Sequence, residues 1–205
     1  MRSKKDEMND NLRSILSKVV RKYISFIADS YKIRSDYRSR KGTMHYGFVP
    51  SSTENVLEVL FELYHYMGAR RYQHSFLDIG CGIGNIVLLA HEVGFDAYGL
   101  EYNKKIYDVA KRFMGKNSFI SKNHIFKGDM TCFRNYSKYD VLYYYVPIIN
   151  TAVMHKFATK LSKAVKPGAY IIPQGYRDIF DNSKEFENIK LRSNSCYPIF
   201  RKKGK

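Results

Sequence analysis

Three glycines at alternate positions, Gly80, Gly82 and Gly84, stand between two apolar runs and constrain this chain more than any other feature. The run before them, Ser75 to Ile79, is short and continuous, the pattern of a strand buried on both faces. The run after them, Ile86 to Ala90, continues as a helix. With no Cβ atoms in the way, such a turn bends sharply and lets a ligand come close to its backbone. A strand, a glycine turn and a helix make the opening unit of a doubly wound α/β fold, whose ligands lie over the carboxyl ends of parallel strands. The spacing is G-x-G-x-G, tighter than the G-x-G-x-x-G of dinucleotide folds, and Asp78 precedes the first glycine by two residues.

The remaining chain fits that unit. Leu12, Ile15, Leu16, Val19, Tyr23 and Ile27 recur at helical spacing and predict an amphipathic helix ending near Asp29 and Ser30. Ser51-x-x-Glu54 predicts a capping box for a second helix with the apolar stripe Val56, Leu57, Leu60, Leu63, Tyr64 and Met67. Strands are expected over Ala97 to Glu101, His124 to Asp129, Asp140 to Val146 and Ala169 to Pro173, with helices over Ile106 to Phe113 and over 151–165 between them. Two tail strands are expected near Ile189 to Arg192 and Tyr197 to Arg201. The prediction is an α/β, Rossmann-like, doubly wound and mostly parallel sheet over residues 46–205, preceded by a basic helical extension over 1–45. Glu101 lies 21 residues after Gly80 (101 − 80), where a strand-end carboxylate in a nucleotide fold can accept both ribose hydroxyls.

Charge restricts the partners. Thirty-five Lys and Arg against nineteen Asp and Glu leave a formal charge of +16 on 205 residues, which points to polyanions: nucleic acid, ribosome or nucleosome, or an anionic lipid surface. Lys32, Arg34, Arg38, Arg40 and Lys41, interleaved with Tyr31 and Tyr37, form the densest basic stretch and the candidate contact. No apolar run is long enough for a membrane span, and the charged N-terminus leads into no signal-type core. The three cysteines, Cys81, Cys132 and Cys196, are widely spaced, and neither C-x-x-C nor H-E-x-x-H occurs, so a disulfide framework and a zinc site are not suggested. An intracellular and cytoplasmic location is expected.

The stretch from Asp78 to Gly84, D-x-G-x-G-x-G, resembles motif I of the class I, seven-strand, S-adenosylmethionine-dependent methyltransferases. The likeness extends from Tyr46 to Pro173. Val49-Pro50-Ser51-Ser52-Thr53 before a helix, Gly94 to Asn103 around the second strand, and Val146-Pro147 after the fourth are similar to the small protein lysine methyltransferases, namely the ATP synthase c-subunit type, the archaeal type and, distantly, the non-SET histone type. The resemblance implies S-adenosyl-L-methionine as cofactor, with its amino acid part over the glycines and its ammonium oriented by Asp78. It implies a binding set of Thr53, Asp78, Gly80, Cys81, Gly82, Gly84, Glu101, Asp129, Met130 and Pro147, with Asp129 and Met130 beside the adenine.

Tyr145-Val146-Pro147 stands where amino-methylating nucleic-acid enzymes carry an N-P-P-Y-like tetrad. Strand alternation prevents Tyr143, Tyr144 and Tyr145 from facing one site together, and Tyr145, nearest the strand end, is the expected catalytic residue. Methyl transfer to protein lysine is the leading expectation. Methylation of RNA or DNA, and a non-catalytic cofactor- or nucleic-acid-binding module, are the alternatives.

Overall fold

The computed structural model describes residues 10–11, 13–15, 17, 53–68, 70, 72–116, 124–146, 148, 150–192 and 197–204. Within them helix and strand alternate: α1 (Thr53–Tyr66), β1 (Ser75–Ile79), α2 (Asn85–Val93), β2 (Asp96–Glu101), α3 (Lys104–Lys116), β3 (Ile125–Lys127), β4 (Val141–Tyr145), α4 (Thr151–Ala164), β5 (Tyr170–Gln174), α5 (Asp178–Asp181), β6 (Phe186–Ile189) and β7 (Ile199–Lys202). The strands form one sheet in the order β3-β2-β1-β4-β5-β7-β6. β1 to β5 pair in parallel, while β7 runs antiparallel to both β5 and β6. This is the expected doubly wound sheet. Its strand order reverses between β1 and β4, so their carboxyl ends open a crevice there.

Both faces of the sheet are covered, which is why β1, β4 and β5 are apolar at nearly every position. On one face α1, α2 and α3 pack over Phe76, Ala97, Val141, Tyr143 and Ile172. On the other, α4, the 3-10 turn Tyr136–Lys138 and α5 pack over Leu77, Ile79, Leu100, Leu142 and Tyr144. α2 is apolar nearly all round and correspondingly buried. Gly94 ends it at φ 127°, donating its N–H to the Ala90 carbonyl. α4 starts at Asn150, whose side-chain oxygen accepts from the Val153 N–H at 3.1 Å.

Several boundaries differ from the sequence reading. β3 covers three residues, so Gly128 and Asp129 lie beyond it, in the loop that leads to the crevice. The first tail strand lies upstream of the expected one, because β7 aligns Phe186 with Lys202 and Ile189 with Ile199. Pro173 is tolerated inside β5 because β7 pairs only Tyr170 and Ile171, and a missing N–H beyond that point costs no ladder bond. Of the helix expected from Leu12, residues 13–15 and 17 are described and helical, as are residues 10–11 before it, with Ile15 packed on the α1–α3 side. The basic stretch containing Lys32, Arg34, Arg38, Arg40 and Lys41 lies outside the described residues, as does most of the 1–45 extension.

Candidate functional site

The carboxyl ends of β1 and β2 meet at the glycine turn. Gly80, Gly82 and Gly84 all adopt left-handed backbone, at φ 80°, 56° and 90°. The Gly80 and Cys81 N–H groups both donate to the Leu100 carbonyl, which bends the chain sharply off the end of β1. Gly84 then leads straight into α2. A Cβ on Gly84 would come within 2.5 Å of Met114 Cε, a flexible end that can give way, so it is the φ of 90° that selects glycine there.

Two carboxylates are buried beside this turn. Glu101, at the end of β2, is 7% exposed. Its Oε2 accepts from the Gly82 N–H at 3.0 Å and its Oε1 from the Asn103 N–H at 2.6 Å. Burial pushes its pKa up to about 6, against the opposing effect of the N–H groups of Asn103, Gly82 and Tyr102. Asp78 is 3% exposed. Burial first, and then the charge of Glu101, hold its carboxyl well above the usual range, and no hydrogen bond among the described residues offsets them. Two acids held close in low dielectric bind protons tightly, and they create a place where a cationic ligand carrying hydroxyl donors is favoured.

Cys81 lies between these groups with its thiol buried against Gly99, and burial, Asp78 and Glu101 all push that thiol up, so it stays protonated and packs. Asp129 Oδ1 accepts from both the N–H and the hydroxyl of Thr131, at 2.7 Å each, and so shapes the loop after β3. Met130 is buried among Ile79, Leu100 and Leu142, and its carbonyl accepts from the Tyr136 hydroxyl. Thr53 is the first residue of α1, and Pro147 lies outside the described residues.

The β4 tyrosines separate as alternation requires. Tyr143 is buried on the α1–α3 face and Tyr144 on the α4 face, where its hydroxyl donates to the Gly175 carbonyl at 3.1 Å. Tyr145, at the strand end, is 41% exposed. Its side follows that of Val141 and Tyr143, the side that also carries Asp78. Beside it, Val146 and Tyr176 take left-handed backbone at φ 22° and 54°, flanking Gly175 at 91°.

Sequence reasoning passed over Asn103 and Gln174. Asn103 caps α3 through its side-chain oxygen and so fixes the N–H that grips Glu101; an Asn two residues past a strand-end acid was the available signal. Gln174 pairs with Tyr145 across β4 and β5, and the first polar residue after an apolar run was its only mark. No group of three His, Cys, Asp or Glu side chains among the described residues is arranged to hold a metal ion. No described helix is long and apolar enough to cross a membrane.

Comparison with known proteins fits this geometry. Residues 77–172 match the model of a methyltransferase domain. No curated protein sequence matches the chain. Its fold is shared with an RNA methyltransferase from Salinibacter ruber in complex with S-adenosyl-L-homocysteine, at 18% identity and TM-score 0.51, over 75% of this chain and 92% of that one. It is shared with an S-adenosylmethionine-dependent methyltransferase from Methanococcus maripaludis, described there as a presumed one, at 14% identity and TM-score 0.53, over 74% and 86%. A 16S rRNA methyltransferase from T. thermophilus, in complex with AdoMet and guanosine, gives 17% identity and TM-score 0.56 over 77% of this chain and 44% of that one. Glycine turn, strand-end acids, sheet order and domain match agree: residues 77–172 form a methyltransferase domain on the class I, Rossmann-like fold, with S-adenosyl-L-methionine as its cofactor.

Proposed function

We propose that the protein transfers a methyl group to an amine of a macromolecule, and that this amine is a protein lysine. The observation that carries the reading is Tyr145: a half-exposed aromatic ring at the end of β4, on the Asp78 side of the sheet, followed by Val146 rather than by a polar segment. Bound S-adenosylmethionine supplies a methyl group on a cationic sulfonium. Glu101 receives the ribose hydroxyls and Asp78 faces the ammonium, an assignment supported by the raised proton affinity of both acids, which a cationic ligand relieves. Gly80, Gly82 and Gly84 leave room for the amino acid part. Asp129 and Met130 stand at the adenine end, and Thr53 and Pro147 close the set.

The chain's own contribution to the reaction is alignment and desolvation. A lysine reacts as the neutral amine, and an aromatic wall formed by Tyr145 favours that form by excluding water. A planar base nitrogen has a delocalised lone pair and needs acceptors to localise it. Tyr145 and Val146, standing at the position of the N-P-P-Y-like tetrad, offer an apolar lining in place of that tetrad's paired acceptors.

A second reading, methylation of RNA or DNA, is favoured by the +16 charge and by the RNA methyltransferases among the proteins of like fold. Under either reading the extension over 1–45 docks the substrate through Lys32, Arg34, Arg38, Arg40 and Lys41, on nucleic acid itself or on a nucleic-acid-bound protein. Extract incubated with radiolabelled cofactor and then digested decides between the readings. Release of label by protease supports lysine; release by nuclease alone overturns it in favour of nucleic acid.

A further inference from the structure

Gln174 is the last residue of β5, and it pairs in register with Tyr145. Tyr170 and Ile172 of the same strand face the α1–α3 side, so Gln174 projects from the face that carries Asp78 and Tyr145. It stands two residues beyond the level of Asp78, about 6–7 Å further along the strands. The side chain is half-buried. Its Nε2 is shielded from solvent and has no hydrogen-bond partner. A side chain kept for structure alone has its buried polar end paired, so an unpaired one calls for an explanation.

The backbone around it is held firmly. The Val146 N–H donates to the Gln174 carbonyl at 3.1 Å, and the Tyr144 hydroxyl donates to the next carbonyl, that of Gly175. Val146, Gly175 and Tyr176 adopt left-handed conformations that two of them, as non-glycine residues, occupy only under constraint. A Cβ on Gly175 would meet Val146 Cγ2 at 2.5 Å, so the two strand ends interlock. The carboxamide is thus carried on a fixed backbone but is itself unanchored. Its terminal torsion is broad and roughly two-fold, so a half turn exchanges carbonyl and amide ends.

We propose that Gln174 positions the methyl-accepting group: its carboxamide oxygen accepts an N–H of the incoming amine and directs the lone pair along the line of attack, beside Tyr145. This rests on the amine-acceptor reading above. A neutral amine has two N–H donors and one lone pair; holding one donor leaves the pair free to attack, which is alignment without removal of a proton. The bond forms only when substrate is present: no hydrogen bond among the described residues holds the Gln174 side-chain oxygen in its absence, and the unpaired Nε2 likewise leaves the carboxamide free to turn toward the amine.

The test combines Gln174→Leu, Gln174→Asn and Gln174→Glu with three measurements: melting temperature, cofactor affinity by calorimetry, and transfer of labelled methyl to poly-L-lysine and to ribosomal RNA. The Leu variant should melt at or above the wild-type temperature, because an unpaired buried donor has been removed. It should bind cofactor unchanged and transfer methyl at least tenfold more slowly. The Asn variant should recover part of the rate. In the Glu variant the added charge favours the ammonium, so its rate should rise with pH later than that of the wild type. A Leu variant that melts lower, or one that transfers at the wild-type rate, overturns the proposal. Wild-type protein that binds cofactor but labels RNA and not poly-L-lysine overturns the amine reading, and this proposal with it. A wild type that labels neither acceptor does the same.

Discussion

The carboxyl edge of the sheet has two halves built in opposite ways. At β1 and β2 the left-handed positions are glycines, and the carboxylate of Glu101 is gripped by two backbone N–H groups. At β4 and β5 the left-handed positions include Val146 and Tyr176, and Gln174 keeps an unpaired amide. One half adopts its shape because its residues prefer it. The other is forced into shape by its neighbours: Tyr144 below, and the interlocked Val146 and Gly175 between the strands. A preorganised cradle suits a constant ligand, while a strained and partly open edge suits the variable one. On the proposed reading the β1–β2 half takes the cofactor and the β4–β5 half takes the acceptor.

The largest effect should come from the acid in the cofactor half. Glu101→Gln keeps the shape but loses the charge, and calorimetry should show cofactor affinity weakened by about 1–3 kcal/mol through loss of charge-assisted hydrogen bonds. Transfer at saturating cofactor should suffer less. Equal damage to both would erase the division between the halves.

Gly84→Ala comes next. A side chain at φ 90° that also displaces the Met114 methyl should destabilise the protein by about 1–2 kcal/mol, measured by denaturant titration. In the acceptor half, Tyr145→Ala should slow transfer about tenfold, ~1.4 kcal/mol, with cofactor affinity unchanged. A loss confined to cofactor binding would move Tyr145 to the other half.

Val146→Gly should act in the opposite direction to Gly84→Ala. Relief of a strained β-branched residue is expected to stabilise by about 1 kcal/mol and to raise the melting temperature by roughly 2–4 °C. A fall in the melting temperature would mean that the backbone there is unstrained.

The smallest effect is that of pH. Glu101 titrates at about 6, above its ordinary 4.5, so the ligand-free fold holds the proton more tightly than the unfolded chain. The stability this gives is full below pH 4.5 and is lost as pH rises through about 6. Cofactor hydroxyls favour the carboxylate, so binding should release a proton, and affinity near pH 6 should be about half its value at pH 8. Affinity that falls with rising pH across that range would exclude Glu101 as the hydroxyl acceptor.

Much of this molecule was legible in the sequence because its signals are local. Apolar runs marked β1, β4 and β5, glycines at alternate positions marked the turn, and Glu101 stood at the expected distance from Gly80. Alternation alone separated Tyr143, Tyr144 and Tyr145 before any contact was known. The tail strands were misplaced because Phe186 and Ile189 owe their register to β7, and no pattern within Phe186–Ile189 reveals a partner further along the chain. Gln174 went unnoticed for the same reason: one polar residue after an apolar run says nothing until the pairing of β5 with β4 sets it against Tyr145.

Residue type by itself determined where the chain turns and which backbone positions can approach a ligand, since steric freedom and hydrophobic period belong to each residue. Only the tertiary structure decided which carboxylates share a buried space, which of the β4 tyrosines reaches solvent and where non-glycine residues are held left-handed. Burial, proton affinity and strain arise from what surrounds a residue, and those surroundings come from distant parts of the chain.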